Sequence, residues 1–159
     1  MTQKEFADRV MAVRVRLYRI ARVTLGNDTD ALEAVDESVY QALRSLKQLR
    51  EPAFFETWLT RILINTCRRE LRHRSHFSGG GEQELPELAA ADDYDQLPLR
   101  EAVQRLPEEL RNVVVLRFFA GYTQVETAES LQIPQGTVAT RQRKALQLLR
   151  LDLGEEDRT

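Results

Sequence analysis

The segment Thr123 to Arg150, TQVETAESLQIPQGTVATRQRKALQLLR, constrains the fold more than any other part of the chain. Thr123 followed three residues later by Glu126 is a capping box, in which the hydroxyl accepts from the Glu126 backbone N–H while the carboxylate reaches back. A helix is therefore expected to start there, with Ala128 and Leu131 facing inward. Gln132-Ile133 breaks the run, and Pro134, suited to a first helical position, opens the next helix. So short a connection predicts a helix-turn-helix. In its second helix Val138, Leu146 and Leu149 form the expected buried stripe. Gln135, Thr137, Thr140, Arg141, Arg143 and Lys144 are left for solvent or nucleic acid, and no acidic residue lies between Pro134 and Arg150.

The formal net charge of -2 argues against a nucleic-acid binder only if charge is spread evenly. It is not. Asp28, Asp30, Glu33, Asp36 and Glu37 form an acidic block, Arg61, Arg68, Arg69, Arg72 and Arg74 a basic one, and Glu82 to Asp95 is acidic again. With one cysteine, Cys67, and two histidines, neither a disulfide framework nor a structural zinc site is expected. The first residues predict a charged amphipathic helix, and no run approaches the roughly 18 apolar residues of a membrane span, so the expected location is the cytoplasm.

Hydrophobic periodicity predicts an all-α chain of two small helical domains. Phe6, Val10, Val13, Leu17 and Ala21 recur at helical steps up to Gly26, a suitable residue just past a helix end. Asp30 with Glu33 is expected to cap a second helix, buried through Val35, Val39, Ala42, Leu43 and Leu46. Pro52 marks the start of a third, with Phe55, Leu59, Ile62 and Thr66 along one side. From Ser78 to Gln96 the sequence carries three successive glycines, six acids and no base, which predicts a flexible acidic linker. A short helix to Arg105 and another between Pro107 and Gly121 lead into the helix-turn-helix. The expected boundaries are 1–76, a linker at 77–96, a second domain at 97–153 and a tail at 154–159.

Phe54, Trp58, Arg61, Asn65, Arg68 and Arg72 recur at four- and three-residue steps and share one face of the third helix. Aromatic rings at one end and guanidinium groups at the other suit an opened DNA strand, with stacking on bases, an amide for a base edge and cations for phosphates. The alternative is a solvated basic face beside a packed aromatic core. Glu33, Asp36, Glu37 and Tyr40 lie opposite the apolar stripe of the second helix, either as acids favoured by the helix dipole or as a dock for a basic protein surface. Cys67 lies among basic residues that could depress its pKa, although a lone helical cysteine is more often packed. No nucleophile–base spacing, phosphate-binding loop or metal set is present in the sequence, and neither catalysis nor a cofactor is expected.

Together these residues resemble the sigma-70 family of transcription initiation factors, specifically the compact extracytoplasmic-function (ECF) group that keeps only regions 2 and 4. DALEAVDESVYQALRSL is similar to the helix that binds core polymerase, and FETWLTRILINTCRRELR to the segment that melts and reads the -10 element. LPEELRNVVVLRFFAGYTQVETAESLQIPQGTVATRQRKALQLLR is similar to region 4, whose last helix reads the -35 element. The resemblance implies that Glu33, Asp36, Glu37 and Tyr40 dock on the clamp helices of the polymerase largest subunit, with the flap as a further contact. It implies a base-capturing loop from Leu49 to Phe55, followed by Trp58, Arg61 and Asn65 along the non-template strand. It also makes Gln135, Thr137, Thr140, Arg141, Arg143 and Lys144 the -35 contacts, and an anti-sigma factor an expected partner. Asp36 stands where the family usually has glutamine, Leu49 where an aromatic is common, and Ala139 where a basic residue is common. The competing expectation is a stand-alone helix-turn-helix regulator binding duplex DNA, usually as a dimer on a palindrome.

Overall fold

The structure, a computed structural model, describes residues 1–77 and 97–154. Every regular element among them is helical. The expected linker falls almost wholly outside the described residues, as does the tail beyond Gly154.

Helix α1 (Gln3–Leu25) starts at a capping box that the sequence reading missed: Thr2 Oγ1 accepts from the Glu5 N–H at 3.1 Å, and the Glu5 carboxylate accepts from the Thr2 N–H at 2.8 Å. It stops at Gly26, whose φ of 91° is left-handed. Helix α2 (Asp28–Arg44) is capped by Asn27, which accepts from the Asp30 N–H at 2.8 Å. Asp30 is therefore not the cap. It sits in the first turn, where its carboxylate meets Arg74 at 2.5 Å. The buried face of α2 runs through Ala31, Ala34, Val35, Ser38 and Ala42, and Leu43, expected inside, is 39% exposed. Small residues along that face permit close helix approach. Ser38 Oγ donates to the Ala34 carbonyl at 2.7 Å and Thr66 Oγ1 to the Ile62 carbonyl at 3.0 Å, so each buried hydroxyl is satisfied within its own helix where the two meet at 3.1 Å. After two single 3-10 turns, Leu46–Gln48 and Pro52–Phe54, helix α3 runs Phe55–Phe77.

Helices α4 (Leu97–Arg105) and α5 (Glu108–Val114) follow, and α5 widens into a π turn at Val115–Phe119. Gly121, at φ 77°, reverses the chain so that the Tyr122 N–H reaches back to the Leu116 carbonyl at 2.9 Å. The helix-turn-helix consists of α6 (Gln124–Leu131) and α7 (Gln135–Leu153). Its Thr123–Glu126 capping box forms in both directions, at 3.0 and 2.9 Å. Gln132 turns left-handed at φ 58°, and Pro134 is the N-cap of α7, one position before the expected one. The residues of α6 that are fully buried are Thr127 and Ser130, while Ala128 and Leu131 are only half-buried. In α7 Val138, Ala145 and Leu149 are buried, with Leu146 half-buried beside them. Arg105 closes this unit through two bonds of 3.1 Å to Asp152.

One hydrophobic core runs through both units, from Leu17 and Ile20 on α1 and Leu59 and Leu63 on α3 to Val103, Leu116 and Tyr122. Full burial of such a side chain contributes about 1.5–3 kcal/mol, so a shared core is a substantial tie between the units. The Gln104 amide adds a bond to the Val23 carbonyl at 2.8 Å. Gly26 lies beneath it, where a Cβ would stand 3.2 Å from Gln104 Nε2.

Candidate nucleic-acid interface

The stripe of α3 expected to contact an opened strand lies along one face, but its members differ in environment. Phe54, at the end of the 3-10 turn, is 48% exposed. Trp58 and Arg61 are half-buried, and Asn65 and Arg72 are exposed. Arg68 is half-buried, its Nε donating to Glu108 at 2.5 Å. Phe55 departs from the expectation of a strand contact. It is 3% exposed, packs edge-on against Phe6 at 5.8 Å and lies 6.1 Å from Trp58, so it is a core residue that holds the tryptophan from behind.

Leu49, Phe54, Trp58 and Arg61 line a concavity of about 640 Å³. Leu49 supplies an apolar wall and Trp58 a flat one, and Arg61 Nε is buried without a hydrogen-bond partner. An apolar wall beside an indole is an arrangement on which an unpaired base can stack. Thr57 and Arg50 also line it, together with Glu129 of α6 and Gln132 just beyond that helix.

The acidic face of α2 is open. Glu33, Asp36 and Glu37 are exposed, and Tyr40 is 57% exposed beneath the guanidinium of Arg44, 5.6 Å from its ring. Asp36 makes only a loose pair with Arg14 at 3.7 Å, and Glu37 accepts from Gln41 at 2.9 Å. On α7, Thr137, Thr140, Arg141 and Lys144 fall on one face by the helical period, and Arg143 stands roughly 100° away from it. Gln135 lies exposed in the first turn, Thr140, Arg143 and Lys144 are exposed, and Thr137 and Arg141 are half-buried. Gln142 points elsewhere, accepting from Arg117 at 2.9 Å.

Cys67 is buried, and burial pushes its thiol up to about 12 despite the nearby Arg111 and Arg74. It is a packed thiol rather than a reactive one. Among the described residues no group of three or more histidine, cysteine or acidic side chains is placed to hold a metal ion, and no helix is long and apolar enough to cross a membrane. A further groove of about 650 Å³ lies between α1 and the second unit, floored by Val23, Val103, Phe119 and Leu149 and edged by Arg22 and Arg100.

Sequence reasoning missed a polar cluster where the units meet. Tyr122 is 1% exposed, and its hydroxyl lies 2.7 Å from Thr60 Oγ1 and donates to Glu56 at 2.9 Å. Glu56 also accepts from Arg16 at 2.6 Å, and that guanidinium lies 5.4 Å from the Tyr122 ring centre. Burial, reinforced by the Glu56 carboxylate, raises the Tyr122 phenol well above its ordinary value, against the opposing bond from Thr60. No local pattern marks a lone tyrosine after a glycine as an inter-unit contact. Its partners are more than 60 residues away in the chain.

Two family models match this chain. The Sigma-70 region 2 profile matches residues 10–77 and the Sigma-70, region 4 profile residues 102–151. The RNA polymerase sigma factor SigV of Bacillus subtilis is 33% identical over 142 residues, spanning 88% of this chain and 86% of that protein. The ECF RNA polymerase sigma-E factor of Salmonella typhimurium is 32% identical, over 70% of this chain and 68% of its own length. The sigma factor RpoE of Bartonella quintana, solved with the anti-sigma factor NepR, shares the fold with a TM-score of 0.78 at 20% identity, over 95% of this chain and 98% of that one. The chain belongs to the ECF group of sigma-70 RNA polymerase sigma factors.

Proposed function

We propose that this sigma factor binds core RNA polymerase through Glu33, Asp36, Glu37 and Tyr40 on α2, grips the -10 strand with the α3 stripe and reads the -35 element with α7. The division of labour extends over the expected domains, 1–76 and 97–153. The observation that carries the reading is the concavity formed by Leu49, Phe54, Trp58 and Arg61, which combines aromatic walls with a guanidinium group. A protein that reads only duplex DNA needs no such feature. An exposed carboxylate face suits a basic protein surface and repels phosphate, which supports assigning α2 to polymerase rather than to DNA.

Promoter affinity then arises by linkage. Each module binds weakly alone, and holding both on polymerase raises their effective concentration at one promoter. Strand opening is stacking and electrostatics, with no bond made or broken by this chain. The protein works in the cytoplasm, where its polymerase and promoters are. The groove edged by Arg22 and Arg100 offers a second apolar surface for the polymerase flap or an anti-sigma factor.

Reconstitution with core polymerase tests this function. The reading expects transcripts with discrete, reproducible 5′ ends from genomic DNA, and random ends indistinguishable from those of core alone would overturn it.

A further inference from the structure

We propose that Arg117 and Gln142 form a positioning pair that sets the rotation of α7 about its own axis, and so shapes -35 sequence preference without touching DNA. This deepens the assignment of α7 to the -35 element and rests on it. The pair joins three pieces of the second unit. Arg117 lies in the π turn after α5, and its Nη1 donates to the Tyr122 carbonyl at 2.6 Å, one residue before the N-cap of α6. Its Nε donates to Gln142 Oε1, in the middle of α7, at 2.9 Å. One guanidinium thus ties the entry of the helix-turn-helix to its second helix, and both side chains are half-buried.

At about 100° per residue, Gln142 falls beside the buried Val138, Ala145 and Leu149, roughly 150° round the helix from the middle of the face of Thr137, Thr140, Arg141 and Lys144. Arg117 therefore holds α7 from behind. The buried contacts on that side come from a valine, an alanine and a leucine, and apolar contact has no preferred direction. A charge-assisted hydrogen bond is directional, so it fixes the rotation that the apolar contacts leave loose. Side-chain atoms lie ~5–6 Å from a helix axis, so a rotation of about 20° carries them ~2 Å. That exceeds the tolerance of a hydrogen bond to a base edge, about 0.5 Å in length. The bonds from Arg105 to Asp152 steady α7 at its far end, about 15 Å along the helix from Gln142, and leave the orientation of the DNA-facing half to Arg117.

The experiment uses reconstituted holoenzyme and a promoter located from its transcript 5′ ends, with the -35 element randomised and the -10 element kept. Sequencing the bound fraction gives the -35 preference. Gln142→Leu, which removes the acceptor at similar bulk, should flatten or redirect that preference by about ten-fold, within the range that one bidentate base contact supplies. Gln142→Glu keeps the acceptor and should keep the wild-type preference, a rescue that separates a lost bond from a damaged fold. Arg117→Gln also frees the Tyr122 carbonyl and should shift preference at least as far. Adding Gln142→Leu to it should change nothing more, because the shared bond is already gone. Wild-type preference in Gln142→Leu, binding weakened evenly across sequences, or loss of preference in Gln142→Glu would overturn the positioning role. If Arg141→Ala with Lys144→Ala still alters preference in that case, α7 stands as the reader. No -35 preference in the wild type, or one that survives loss of Arg141 and Lys144, would overturn the reader and the positioning together.

Discussion

The hydroxyl of Tyr122 lies 2.7 Å from Thr60 Oγ1, joining the residue before the helix-turn-helix to the middle of the third helix of the other unit. Both side chains are buried, so the bond is not exchanged freely with water. It fixes one arrangement of the two units in a way that a purely apolar contact would not.

Loss of this hydroxyl in Tyr122→Phe leaves Thr60 without its inter-unit bond and Glu56 with one acceptor bond fewer, and should cost about 1–2 kcal/mol at neutral pH. The pH dependence has a definite sign. The folded-state phenol is raised above the ordinary 10.0, by burial first and the Glu56 carboxylate next, with the Thr60 bond opposing. Its contribution is therefore complete below pH 10 and declines as pH rises above that value, because the unfolded chain ionises first. Urea unfolding from about pH 8 to about pH 11 should show an alkaline loss in the wild type that is smaller in Tyr122→Phe. Equal pH slopes would contradict this account of Tyr122.

Gly26→Ala should destabilise by about 1–2 kcal/mol, because a side chain is strained at φ 91° and would crowd Gln104 Nε2 at 3.2 Å. Gly136→Ala is the matched control. It lies in the first turn of α7 with nothing within 4 Å of an added Cβ, and should be neutral or slightly stabilising. Thermal unfolding of both variants checks the contrast.

Glu33→Lys, Asp36→Lys and Glu37→Lys combined should weaken association with core polymerase by at least about a hundred-fold, since like charges across an interface cost several kcal/mol. All three side chains are exposed, so helical content and melting temperature should change little. Fluorescence anisotropy of the labelled protein measures the affinity, and circular dichroism the fold.

The arginines of α7 should separate by face. Arg141 shares its face with Thr137, Thr140 and Lys144, so Arg141→Ala should cost about 1–3 kcal/mol and relax readout at one base pair if its guanidinium pairs with guanine. Arg143 stands to the side, and Arg143→Ala should weaken binding evenly across sequences and reduce its salt dependence. Competition among -35 variants by the holoenzyme distinguishes the two outcomes.

Much of this was legible because it is local. The capping box at Thr123, the stop at Gly26 and the helical stripes depend on residues within one or two turns of each other, and each forms. Errors arose where neighbours compete for one role. Asn27 precedes Asp30 and takes the cap, and the close packing of Ala31, Ala34 and Ser38 turns Leu43 outward. On α3, spacing separated Phe55, on the apolar side with Leu59, from Phe54, on the side of Trp58, and the structure buries the first and exposes the second. It was the family resemblance that grouped Phe55 with the strand contacts. The contacts of Tyr122, Glu108 and Glu129 were invisible, because they join segments distant in sequence and carry no periodic signal.

Trapping of an opened strand by α3 is the step on which promoter melting by this protein turns. Permanganate reactivity of unpaired thymines in promoter complexes measures this directly, comparing wild-type holoenzyme with Trp58→Ala and Asn65→Ala combined. The account predicts that the variant still occupies the promoter in a closed complex but loses most thymine reactivity at the -10 region. Reactivity equal to wild type, at equal promoter occupancy, would contradict it.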